Sequence, residues 1–198
     1  MEIPSKEAIL FENVILNIQK FISSLEKEMP LSDEDRFFLI EEMTVYTIVV
    51  MSLFLKNTYN YENLGEYDEL HAGIIEKYKK FTWKNCGADN EKDKEYYWNT
   101  IKNSFFEKLT FIGFCESKGN VDKEKIVTTI TMDGDLMKFS IPPYDYEIFK
   151  RHVAQLVDSI EISVEHLKKS EYSKHQNGGH GYRGHSPLLF PSAFFSPY

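Results

Sequence analysis

Asp68 and His71 stand three residues apart, so a helix would present both on one face. Helical bundles that bind two metal ions use two carboxylate–histidine pairs of this spacing, together with inward-facing glutamates. Glu41, Glu42, Glu107 and Glu165 are available as those glutamates, but no second histidine has an acid three residues before it. A separate set of imidazoles, His175, His180 and His185, recurs every five residues, with His166 upstream. Imidazole is a ligand for zinc, copper or nickel, and the glycines between these histidines would let the backbone wrap an ion. A structural zinc site offers four ordered ligands, however, and no cysteine or carboxylate accompanies these three. Each set lacks a necessary part, so the expectation is that the chain holds no metal or other cofactor.

The other reactive side chains are equally isolated. Cys86 and Cys115 are far apart, without metal-ligand spacing, and read as reduced thiols. Ser52 lies in an apolar run without a glycine elbow. The segment GGHGYRG has neither the preceding strand nor the following helix of a phosphate loop. An RNA-cleaving bundle of the HEPN type would carry an arginine with a histidine about one helical turn downstream. Arg36 has no such partner, Arg151 touches His152 directly, and Arg183 reaches His185 with one residue between.

Charge excludes a further class. The chain is 198 residues long with net charge −8, and an overall acidic surface repels phosphate backbones and anionic lipid. The acid is unevenly placed: from Lys168 onward the charge is +3, leaving −11 on the preceding body. The short basic clusters at Lys77–Lys80, Lys150–His152 and Lys168–Lys169 read as solvated helix faces. Nucleic acid is therefore not an expected partner.

The elements that would position these residues are mainly helical. Leu10, Val14, Ile18, Leu25 and Met29 recur at helical spacing and predict a first helix from near Ser5, stopped by Pro30. Ser32 or Asp33 starts a second, running to about Lys56. Its segment Met43–Leu55 carries no charge and reads as the core element of a bundle. At 13 residues it is shorter than the roughly 20 needed to span a bilayer, so no membrane is expected. Tyr67, Leu70, Ile74, Tyr78 and Phe81 predict a third helix. A fourth runs from about Glu91 to Cys115, with Tyr97, Ile101, Phe105, Leu109 and Ile112 in line and Trp98 and Phe106 widening the stripe. KIVTTITM and DLMKFSI, joined through Met132-Asp133-Gly134-Asp135, read as a β-hairpin at about 125–141. A last helix spans about Asp145 to Glu171. The predicted fold is mainly α: an antiparallel bundle of about five helices with one hairpin between the fourth and fifth.

That divides the chain into a bundle domain, 1–171, and an appendage, 172–198. The appendage is a Gly/His-rich hinge followed by Leu188, Leu189, Phe190, Phe194, Phe195 and Tyr198 among three prolines. Apolar side chains at this density are spare adhesive surface. The N-terminal sequence lacks the basic region and cleavage site of a signal peptide, which points to the cytoplasm. The functional expectation is a non-enzymatic protein–protein interaction or assembly module. Its contact element would be the aromatic tail or the hairpin, and its partner another protein or a second copy. The alternatives are a metal-dependent bundle enzyme using Asp68 and His71, or a divergent HEPN-like RNA-cleaving or RNA-binding bundle without the Arg/His pair.

Overall fold

The computed structural model describes residues 5–58, 64–85, 88–117, 119–137 and 145–177. Five long helices and two short ones make up nearly all of this. They are α1 (Lys6–Leu25), α2 (Asp33–Thr58), α3 (Leu64–Asn85), α4 (Glu91–Gly113), α5 (Lys123–Thr131), α6 (Gly134–Met137) and α7 (Tyr146–Asn177). The predicted mainly α bundle with a hairpin between the fourth and fifth helices is what forms.

Helix starts follow local chemistry. Ser5 caps α1 by accepting from the Ala8 amide at 3.3 Å, and Asn90 caps α4 by accepting from Asp93 at 2.9 Å. At α2 the cap is reciprocal: Ser32 Oγ accepts from the Asp35 amide at 3.1 Å, and Asp35 accepts from the Ser32 amide at 3.3 Å.

α2 is the central element. Every residue from Met43 to Leu55 is buried. By length and composition this helix could cross a membrane, but 78% of its apolar window is covered by the rest of the fold. The covering comes from α1, α3, α4 and α7. Successive helices α1 to α4 alternate in direction: Phe11 meets Phe81, His71 meets Ser52, and Trp83 bonds the Lys94 carbonyl. α7 runs beside α2 in the same direction. Its start is pinned to the end of α1 by Arg151 and His152 on Glu28, and Lys168 Nζ bonds the Thr58 carbonyl at 2.7 Å. The connection from 114 to 145 carries the chain back so that this is possible.

The hairpin in that connection is not where the sequence placed it. Glu116–Ser117 (β1) pairs antiparallel with Asn120–Val121 (β2), and Gly119, at φ 76°, supplies the left-handed turn residue. The expected first strand, within 125–141, is instead helix α5. Asp122 caps it at 3.0 Å from the Lys125 amide, and it buries Ile126, Val127, Ile130 and Thr131 against α7 and α4. Those positions repeat at helical spacing; the β-branched composition suggested strand, and packing overrode it. Gly134–Met137 is the helical turn α6, and the rest of the expected second strand, 138–141, lies outside the described residues. The last helix continues past Glu171 to Asn177.

Candidate functional site

A trough opens between α2, α3 and α4. It is walled by Phe37, Ile40 and Val45 of α2, Tyr78 and Phe81 of α3, and Tyr96, Tyr97 and Ile101 of α4, with a volume of about 410 Å³. One helical turn further along α4, past Ser104, a second hollow of about 410 Å³ lies between Tyr46, Glu107, Phe111, Met132 and Asp133. Phe37 and Tyr96 are 61% and 70% exposed, and Phe111 and Met132 are exposed as well. Large apolar side chains gathered in this way make a contact surface, in contrast to scattered single ones.

These side chains face outward because their segments are apolar on every side. Phe37-Phe38-Leu39-Ile40 turns through a full revolution of α2, so only Leu39 is buried outright while Phe37 and Ile40 must point away. Tyr96 and Tyr97 are likewise exposed near the start of α4. The expected buried stripe of α4 is correspondingly narrower than predicted: Phe105, Lys108 and Ile112 are buried, Tyr97 borders the trough, and Phe106 is 54% exposed beside Lys102.

The floor between the two hollows is ionic. Lys108 is 2% exposed, with Nζ 2.6 Å from Glu42 Oε2, 3.8 Å from Asp133 Oδ2 and 3.0 Å from Ser104 Oγ. The ammonium also sits 5.1 Å from the centre of the Tyr46 ring, whose hydroxyl donates to Asp133. A buried cation is tolerated only when paired and hydrogen-bonded in this way. Sequence reasoning missed Lys108 and Asp133. Lysine at a stripe position is read as surface, and Asp133-Gly134 was read as a hairpin turn. The available signal was that position 108 continues the buried row one turn on from Phe105. On the trough wall, partial burial and then the neighbouring Glu42 carboxylate push Glu41 above the ordinary carboxylate range.

The residues singled out from sequence are largely not brought together. His71 Nδ1 lies 2.8 Å from Ser52 Oγ, and that hydroxyl donates to the Ile48 carbonyl at 2.8 Å. The imidazole must therefore be the donor, through an Nδ1–H. Burial lowers the His71 pKa, against an opposing pull from Asp68. Ser52 is fully buried, and this pair cements α2 to α3. Glu42 is ten residues from Ser52 along α2, about 15 Å away, and is held by Lys108. Glu165 pairs with Lys169. Among the described residues no group of three or more metal-ligating side chains converges. Cys115 is a buried free thiol.

His175 lies in the last turns of α7. His180, His185 and the contact candidates Leu188, Leu189, Phe190, Phe194, Phe195 and Tyr198 fall outside the described residues, as does Cys86. No protein-family model matches the chain, and comparison with curated proteins and with solved structures likewise finds no match.

Proposed function

We propose that the chain is a non-enzymatic protein–protein interaction or assembly module working in the cytoplasm. Its receptor surface is the trough between α2 and α4, and its partner is an extended or helical protein segment bearing apolar and aromatic side chains. The single observation that carries this is the alignment of exposed rings, Phe37, Tyr96, Tyr97 and Phe111, along two adjoining hollows with an acidic border. Rigid aromatic walls of this kind supply contact area at low entropic cost and accept an inserted side chain. The hairpin is the poorer contact element: two paired residues per strand are too few to template a further strand.

Selection from a random dodecapeptide display library on the immobilised full chain tests this. Enriched peptides should carry two or more aromatic or aliphatic anchors and few acids. Binding should fall at least tenfold with Ile40→Glu or Tyr97→Glu, substitutions at solvent-facing positions that leave the helical circular dichroism unchanged. Absence of enrichment, or binding indifferent to both variants, would refute the proposal.

A further inference from the structure

The trough between α2, α3 and α4 is aromatic and acidic at once, and it offers no base. The rings of Phe37, Tyr78, Phe81, Tyr96 and Tyr97 line it, and none of its lining residues is a lysine, arginine or histidine. Two carboxylates stand on its wall. Glu42 is held by Lys108, 2.6 Å away. Glu41 makes no ion pair or hydrogen bond among the described residues. Burial and the Glu42 charge both push its pKa up, and no cation of the fold offsets them. Bases adjacent in sequence to the lining are turned to other partners: Arg36 to Glu26, Lys79 to the Trp83 and Trp98 rings, and Lys80 to Glu76. The free fold therefore gains nothing from the Glu41 charge.

Phe37, Glu41 and Val45 follow one another at four-residue spacing, so the carboxylate lies on the same face of α2 as the Phe37 ring, one turn on. A cation placed there meets a carboxylate and the negative faces of aromatic rings together, and each attracts it. The fold already uses this pairing once: the Lys108 ammonium sits 5.1 Å from the centre of the Tyr46 ring and against Glu42. In the trough the ring faces and the carboxylate are present without the ammonium. The wall from Phe37 to Val45 is about 12 Å long, room for three or four extended residues, so it takes a charged side chain together with apolar neighbours. The net charge of −8 draws a cationic segment toward the molecule before contact.

We propose that the protein segment bound by this trough presents a lysine or arginine to Glu41, with apolar residues beside it on the aromatic walls. Glu41 is thereby the residue that sets which segments are accepted. This rests on the interaction reading of the trough and adds the charge of its ligand.

The test selects one random dodecapeptide library in parallel on the full chain and on its Glu41→Lys variant. Peptides from the unaltered chain should carry lysine or arginine beside an apolar anchor at least threefold more often than the starting library. Peptides from Glu41→Lys should lose that enrichment and gain aspartate or glutamate. The strongest peptide from the unaltered chain is then compared by calorimetry with a copy whose basic residue is norleucine. The copy should bind the unaltered chain at least tenfold more weakly, whereas on Glu41→Gln the two peptides should differ less than threefold. Glu41→Gln reverses no charge, so this comparison decides the matter even where Glu41→Lys loses helical circular dichroism. Apolar peptides without a basic residue, the same peptides on both folded chains, or a norleucine loss that persists on Glu41→Gln would overturn the proposal and leave the receptor reading standing. No enrichment on either chain would overturn both.

Discussion

Lys108 illustrates how much a single buried charge can demand. Its ammonium is surrounded by Glu42, Asp133, Ser104 and the Tyr46 ring. Removing one member of a buried pair leaves the other charge without compensation, at a cost of about 3–5 kcal/mol. Lys108→Met should therefore lower the unfolding free energy in urea by about that amount. Lys108→Met combined with Glu42→Leu should recover part of it, since no charge is then stranded between those two positions. A double-variant loss equal to the sum of the losses from Lys108→Met and Glu42→Leu alone would show that the pair is not coupled. Two titrations work in opposite directions nearby. Glu41 is raised, so the folded state holds its proton more tightly than the unfolded one, and stability falls as pH rises through the interval between the two values. Glu41→Gln should flatten that decline, read from urea midpoints in and above the ordinary carboxylate range, and raise the midpoint at pH 7. His71 is lowered, so the unfolded chain takes up a proton first, and stability is lost as pH drops through about 6.5. His71→Gln should flatten that acid-side loss, read from urea midpoints between pH 7 and 5.5.

At the scale of the element, α5 is a helix where the sequence predicts a strand, and the hairpin lies before it, at 116–121, where no element is predicted. Strand propensity in KIVTTITM is real, but Asp122 offers a cap at its first turn, and Ile126, Val127 and Ile130 fall on one helical face. Propensity differences of a few tenths of a kcal/mol per residue are small against the burial of such a face. Asp122→Ala should cost about 1 kcal/mol by loss of the cap. Gly119→Ala should cost a similar amount, roughly 1 kcal/mol, because the left-handed φ is strained with a Cβ although the space around it is open. Both are measured by chemical denaturation, and a neutral Gly119→Ala would mean that the turn relaxes to another conformation.

Across the whole molecule, α2 is enclosed by four helices, and its residues 43–55 have no exposed side. Its amides should exchange with solvent only through global unfolding, so that native-state hydrogen exchange ranks α2 slowest and the start of α4, where Tyr96 and Tyr97 stand in solvent, among the fastest. Slowest exchange in α4 or α5 instead would contradict this order. The helical stripes of α1, α3 and α7 were legible in sequence, because an amphipathic helix states in its own periodicity which face it hides. So were the starts of α1 and α2 at Ser5 and Ser32, whose caps act within three residues, whereas Asp122 precedes a segment that reads as strand. The trough and its ionic floor were not legible. Phe37, Ile40, Tyr96 and Tyr97 resemble core residues in type, and Lys108 resembles a surface residue; burial depends on what packs opposite. Asp133 reaches Lys108 only because α5 turns the chain back onto α4. By itself the sequence determined the number of long helices and the hidden faces of α1, α3 and α7, since those follow from short-range spacing and backbone chemistry. The tertiary structure alone decided which apolar side chains remain in water and which charges must share a buried site, because both depend on contacts between residues tens of positions apart.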